Sequence, residues 1–326
     1  MFGNASTYSI CIALRRARPA GPPIIERRVQ AYEGAGDRKD VQVRAACIVS
    51  LSVALSVAHA ATLKPEAAKA WEDYVESASG GIRERANAPE GFLQIDATPA
   101  AAAKVHRGQI VVSPAAAHIP KKVPSGLIHD WIGTAFLPNR TIKDVAAIVR
   151  DYSRYTEIYA PHVLESRVIS TSETVDLFSV VLMNRTVLSK TALDCDYETT
   201  FVRVDDRRMY SISQAKRIQE IADYGTAKQH TFPEGEGTGL IWRLLSVSRF
   251  EEREDGLYIE TEAMALSRDI PSALRVVVAP IVRRVSREAL ETALRQTANA
   301  AHASGAAATV RAAPFQFALF PARRVR

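Results

Sequence analysis

Residues 239–267 read GLIWRLLSVSRFEEREDGLYIETEAMALS. Two runs rich in β-branched, aromatic and other apolar residues, 239–252 and 256–267, flank the charged turn around Arg253 to Gly256, the pattern of an antiparallel hairpin. Side chains alternate between the faces of a strand, so the pairing decides which groups meet. One pairing puts Trp242, Leu244, Ser246, Ser248 and Phe250 on the face of Tyr258, Glu260, Glu262, Met264 and Leu266. That face gathers the larger apolar and aromatic groups, and it is expected to point inward. Arg243, Leu245, Val247 and Arg249 would then share the outer face with Ile259, Thr261, Ala263 and Ala265.

Upstream, the same strand pattern repeats at 163–172, 175–188, 190–205 and 207–221, divided by turn residues such as Asp205-Asp206. An earlier strand, Gly126 to Leu137, ends at Pro138-Asn139-Arg140. Thr141 then offers an N-cap, with Asp144 three residues later in a capping box, for a short amphipathic helix through Val145, Ile148 and Val149. A long helical pattern from Leu274 to His302, with Pro280 in its first turns, closes the segment. One strand, short helices, a six-strand meander and a long C-terminal helix describe an α+β domain over 123–302, whose sheet can curl around the helix and enclose a cavity.

Before it, Lys64 to Ala86 carries Ala67, Ala70, Trp71, Tyr74, Val75 and Ala78 at helical spacing, with Pro65 in the first turn. Gly80-Gly81 is expected to break or kink this helix. Two short apolar pieces, 92–95 and 109–112, flank an Ala-rich stretch, so 61–122 reads as a helical pre-domain of modest size, either packed on the main body or partly mobile.

The chain has 326 residues, a net charge of +6 and a pI near 9.3, which invites a nucleic-acid reading. The charge lies in the ends. Residues 1–60 carry eight Lys/Arg against four Asp/Glu, 303–326 carry four Arg and no acid, and the segment between is net −2. Nucleic acid is therefore not an expected partner. Arg44, the apolar run Ala45 to Val57 and Ala58-His-Ala60 follow the order of a secretory signal peptide, cleaved after Ala60 into the periplasm or the exterior. Met1 to Asp40 then reads as a mis-assigned start, the alternative being a disordered extension. Cys11 and Cys47 would be removed, leaving Cys195 and no intramolecular disulfide. Residues 303–326 read as a solvated tail. Phe315, Phe317 and Phe320 beside Arg323, Arg324 and Arg326 offer a transient membrane contact as the alternative.

Asp151-Tyr-Ser-Arg-Tyr-Thr-Glu-Ile-Tyr-Ala-Pro-His-Val163 resembles the D-Y-x-x-Y-x-x-x-x-P-x-V segment of the polyketide cyclase/dehydrase and coenzyme Q-binding types of the START-like superfamily. Leu240-Ile-Trp-Arg243 and Leu266-Ser-Arg-Asp-Ile-Pro271 are similar to an uncharacterised group of exported bacterial members. The resemblance implies a helix-grip fold, in which the C-terminal helix lies across a curved sheet over a hydrophobic tunnel. It also implies lipid, sterol, quinone, hormone or polyketide ligands, with no catalytic residue common to the superfamily.

With the inward face as paired above, Glu260 and Glu262 enter the enclosed side and need partners, because buried ionised groups are costly unless paired. Arg217, in phase with Ser211, Ser213 and Ala215, and Arg185, in phase with Met183, are the expected ones. This cluster is a head-group site, a salt-bridge network that only fixes the sheet, or, under another register, a solvent-exposed pair. Tyr155 and Tyr159, with Tyr152, recur at helical spacing and either rim the cavity or pack in the core. Trp242, Tyr258 and Met264 complete the expected lining. His106, His118, His129, His162 and His230 lack metal-ligand spacing, and no cofactor is expected. Gly235, Gly237 and Gly239 alternate with two glutamates, which suits a β-loop better than a phosphate loop.

These readings leave a monomeric carrier of an apolar small molecule as the leading function. An enzyme of cyclase or hydratase type, using Glu262 or His162 as general base, is the first alternative. An envelope interaction module with a filled cavity is the second.

Overall fold

The computed structural model describes residues 61–88, 90–185 and 190–312. The readings of 1–60 and of the aromatic and basic tail beyond Ala312 fall outside them, as does the side chain of Arg185. A two-residue strand β1 (Ala61–Thr62) leads into helix α1 (Pro65–Asn87), a 3-10 turn (Gln94–Ala97) and α2 (Pro99–His106). Strands β2 (Val111–Pro114), β3 (Lys121–Val123) and β4 (Gly126–Pro138) follow, then α3 (Ile142–Val149), a 3-10 turn (Tyr152–Arg154) and α4 (Tyr155–Ile158). Strands β5 (Val163–Thr171), β6 (Val175–Arg185), β7 (Lys190–Arg203) and β8 (Arg208–Ala222) run consecutively. After the small β9 (His230–Thr231) and β10 (Glu236–Gly237) come β11 (Arg243–Arg253), β12 (Gly256–Arg268) and the closing helix α5 (Ser272–Ala312).

The strands pair antiparallel in the order β2-β4-β12-β11-β8-β7-β6-β5, with β3 also on β4 and β9 on β8. Helix α5 rests mainly on β4, β2 and α3, and also touches α4, which packs on β5 at the far end of the sheet. The sheet therefore curls around the helices in an α+β helix-grip arrangement. The strand limits lie within a few residues of those expected, and the Thr141 capping box forms, Asp144 N–H donating to Thr141 Oγ1 at 3.2 Å. Helix α5 continues past His302 to Ala312 through an Ala-rich segment that favours helix.

The N-terminal segment packs on the main sheet. Strands β2 and β3 extend the main sheet on the edge of β4. Helix α1 lies on the outer face, where Ala67, Trp71 and Ile82 pack with Ile128, Trp242, Leu245, Val247, Met264 and Leu266. It runs through Gly80-Gly81 without a break, because Ile82 and Ala86 beyond the glycines are anchored in that contact, which outweighs a propensity cost of about 1 kcal/mol per glycine.

The hairpin register differs from the expected one by a single position. Arg253 pairs with Gly256 across a two-residue loop, so Phe250 faces Ile259, Ser248 faces Thr261 and Arg249 faces Glu260. A two-residue loop pairs even positions with odd ones, and every side chain of one strand changes face relative to the other. Gly256, at φ 147°, closes the turn where a Cβ would lie 2.3 Å from the Leu137 carbonyl.

Close approach also decides Gly133, the point on β4 where α5 docks. A Cβ there would sit 2.6 Å from Leu294 Cδ1 and 3.1 Å from Leu290 Cγ. Gly133→Val should cost about 1–3 kcal/mol through overpacking. Chemical denaturation reads this loss, and Leu294→Ala in the same chain should recover part of it.

Candidate functional site

The register separates the expected site residues into two groups. Glu260, Glu262, Met264, Tyr258 and Trp242 all lie on the outer face, beneath α1, α2 and the first 3-10 turn. There they are sealed by protein. Glu260, fully buried, accepts N–H bonds from Gln94 at 2.9 Å and Ile95 at 3.0 Å, and its Oε1 lies 3.6 Å from Arg249 Nη1. Arg249 Nη2 and Arg85 Nη2 each reach Glu262 Oε2 at 3.2 Å. Asp130, on the same face, accepts from Tyr74 Oη at 2.7 Å. Burial pushes the Glu260 carboxyl up, against the two backbone N–H groups and Arg249. Burial, reinforced by the charge of Arg85, pulls the Arg249 guanidinium down. Glu260 and Glu262 thus have Arg249 and Arg85 as their cations, on the outer face and not in a cavity, while Arg217 is bound elsewhere and the Arg185 side chain lies outside the described residues.

Arg217 lies elsewhere because β8 carries a bulge. Tyr197 pairs with Ala215 and Asp196 with Arg217, so Lys216 is the extra residue and Arg217 leaves the face of Ser211, Ser213 and Ala215. On the outer side of β8 it binds Asp196 at 2.7 Å and Asp194 at 3.1 Å. Met183 likewise follows the phase of Val181, which packs with Ala192 and Ile221, while Leu182 takes the helix side.

The inner face of β11 and β12 carries Leu244, Ser246 and Ser248 beside Thr261, Ala263 and Ala265. All six are partly uncovered, whereas their outer neighbours Leu245, Val247, Arg249, Glu260, Glu262, Met264 and Leu266 are all buried. The same face continues over β8 and β7 as Ser211, Ser213, Ala215 and Thr199, of which Ser213 is partly uncovered and the others are buried. The side chains along this face are small. Their hydroxyls bond in pairs, Ser248 to Thr261 at 2.9 Å and Thr199 to Ser213 at 2.7 Å.

The aromatic wall of this groove comes from the short helices and β6–β7. Arg150 holds the fully buried Asp176 through two bonds of 2.9 and 2.7 Å, and Tyr152 Oη donates to the same carboxylate at 2.9 Å. Tyr152 stacks on Phe178 with centroids 4.1 Å apart. This clamp fixes the segment that carries Tyr155 and Tyr159 over the sheet, and Tyr159 Oη meets Thr297 of α5 at 3.0 Å. Burial pushes the hydroxyl pKa of Tyr155, Tyr159 and Tyr197 up, yet each ring keeps part of its surface uncovered. Of the expected lining, Tyr155 and Tyr159 are on the groove side. Ser211, Ser213, Ala215, Ser246 and Ser248 lie on the side expected for them, whereas Thr261, Ala263 and Ala265 were expected on the other face and join them through the one-position change of hairpin register.

No protein-family model matches the chain, and no curated protein matches it in sequence. Solved structures do resemble it. A STAR-related lipid transfer protein fragment from Xanthomonas axonopodis is 16% identical over 59% of this chain and 98% of that one, with a TM-score of 0.40. Human STARD10 is 9% identical over 62% of this chain and 72% of its own, at 0.42. The di-domain ARO/CYC StfQ from the steffimycin biosynthetic pathway is 13% identical over 55% and 52%, at 0.36. At these identities and scores the similarity is one of general architecture and transfers neither ligand nor chemistry.

The outer network generates two predictions. Arg249→Met leaves Glu260 and Glu262 buried beside a single remaining guanidinium, and should cost about 3–5 kcal/mol in denaturant unfolding. Adding Glu262→Gln should return part of that loss. Burial lifts the Asp130 carboxyl from 3.8 to about 7. An acid whose folded pKa is raised favours the fold while protonated, so its contribution fades as pH climbs from about 4 through about 7. Asp130→Asn should therefore flatten the decline of melting temperature across that window; an unchanged slope would assign the decline to other groups.

Proposed function

We propose that the domain binds an apolar small molecule in the groove between α5 and the inner face of the sheet. The supporting observation is the burial of the central parts of β11 and β12, where the six residues facing the helix are partly uncovered while their outward-facing neighbours are buried. A floor of Ala, Ser and Thr with an aromatic wall suits a largely hydrophobic ligand with a few hydroxyl contacts. The leading role is binding or transfer, with lipids, quinones and polyketide-like molecules as the candidate class. Export through residues 41–60, with cleavage after Ala60, belongs to the same proposal.

The enzymatic alternative draws less support. Glu262 and Glu260 lie on the opposite side of the sheet, and His162 is exposed beyond α4. The six floor positions of β11 and β12 carry no titratable group. The interaction-module alternative requires a filled cavity, which the uncovered floor does not favour.

Native mass spectrometry of the chain purified from its own cells should reveal a co-purifying hydrophobic molecule. Ala263→Phe, which fills the floor opposite Ser246, should abolish its retention while the fold remains intact by circular dichroism. Equal retention by this variant, or a bare protein mass together with no uptake of a hydrophobic fluorophore, would remove the proposal.

A further inference from the structure

One end of the groove differs chemically from the rest. Trp131 stands opposite Ala263 and His129 opposite Ala265, so both border the small-residue floor. Above them passes the first half of α5, in which no described side chain is buried before Leu290. The opening between that half-helix and β4, about 600 Å³, is lined by Trp131, Val276, Pro280, Arg283, Arg284 and Arg287, among others.

Its charges are unbalanced. Arg284 binds Glu288 at 2.7 Å. Arg283 and Arg287, one turn apart and thus on one side of the helix, have no carboxylate or hydrogen-bond partner among the described residues. Two forked guanidiniums at this spacing match the oxygens of a phosphate.

Two buried polar groups on the helix-side face of β4 also lack partners. Trp131 is 8% exposed, and its Nε1–H has no acceptor. His129 is 4% exposed, and its Nδ1 is unpartnered while Nε2 lies 3.0 Å from Ser267 Oγ. Ser267 Oγ donates to the Arg268 carbonyl at 3.2 Å, so it accepts from His129 Nε2–H, and Nδ1 is left as an acceptor. Burial, which lowers the His129 pKa to about 4, keeps this ring neutral. Orphaned buried polar groups are rare in native proteins, and here a donor and an acceptor stand two residues apart on one face of β4, Trp131 in the lining of the opening and His129 next to it along the strand.

We infer that this end of the groove holds the phosphate of an anionic amphiphile, with the acyl or isoprenoid part on the small-residue floor. Arg283 and Arg287 meet the phosphate, the Trp131 Nε1–H serves one of its oxygens, and His129 Nδ1 accepts from an adjoining hydroxyl. Val276 and Pro280 in the same opening favour an amphiphile over free phosphate, since exposed arginines alone hold a small anion weakly in water. The inference rests on the ligand-groove reading and adds the head group.

The test is calorimetric titration of the full chain with dioctanoyl phosphatidate and with dioctanoylglycerol, both below micelle formation. The phosphatidate should bind about tenfold tighter or more. Arg283→Gln with Arg287→Gln should abolish that preference and leave dioctanoylglycerol affinity unchanged. Trp131→Phe should weaken phosphatidate binding in the same direction. The arginine pair is exposed, so its variant keeps the test valid even if Trp131→Phe perturbs folding. Equal affinities for the two lipids, or a preference that survives the double substitution, would overturn the head-group assignment while leaving the groove intact. Full competition by low-millimolar inorganic phosphate would make it a small-anion site and overturn it as well. Binding of neither lipid, with no hydrophobic molecule co-purifying, would sink the groove reading and this inference together.

Discussion

The Arg249 guanidinium is 1% exposed, set between the carboxylates of Glu260 and Glu262 on the side of the sheet facing away from the long helix. Charges in that position are tolerable only if their remaining lone pairs and protons are satisfied and water is kept out in a defined way. The N-terminal segment excludes the water and supplies most of the partners, leaving Arg249 Nη1 and Asp130 Oδ1 without a hydrogen bond. The 3-10 turn presents the Gln94 and Ile95 N–H groups to Glu260, α1 contributes Arg85 to Glu262 and Tyr74 to Asp130, and Trp71, Phe92 and Leu93 close the apolar surround. The outer layer and the sheet thus depend on one another.

With the outer face committed to packing and charge compensation, the inner face need not form a dense core along its whole length. The contact with α5 is concentrated where Gly133 admits Leu290 and Leu294, and beyond it the β11 and β12 side chains shrink to Ser, Thr and Ala. In an ordinary two-layer α+β domain the helix side would carry the large apolar residues. Here those residues, Leu245, Val247, Met264 and Leu266, face outward under α1. The division lets one sheet carry a densely packed outer face and a more loosely covered inner one.

Much of this architecture was legible in the sequence, because strand limits follow turn residues and apolar runs that are local signals. The Thr141 capping box and the order of elements were read on those grounds. The placement of the site was not legible, for two reasons that are also local. The parity of the Arg253–Gly256 loop sets which of two faces each residue joins, and alternation could not arbitrate, since β12 is buried or nearly so on both sides. Grouping the large side chains inward then picked the wrong face for Trp242, Tyr258, Glu260, Glu262 and Met264. The bulge at Lys216 similarly reversed Arg217, and a single inserted residue in a continuous strand leaves no composition signal. Arg249 was overlooked as a partner because the assumed register placed it on the opposite face from both glutamates.

Helix α5 joins two segments with different sources of stability. From Leu290 onward, Leu294, Thr297 and Ala301 are buried and tie the helix to β4 and α3. Before Leu290 no described side chain is buried, and Pro280 both lacks an N–H for the helical ladder and crowds the preceding turn. Helices in proteins owe most of their stability to such packing, so this first half is the weaker part of α5. It is also the part that lines the opening over Trp131. A ligand bound as proposed would supply the apolar and polar contacts that the described side chains of this half-helix lack.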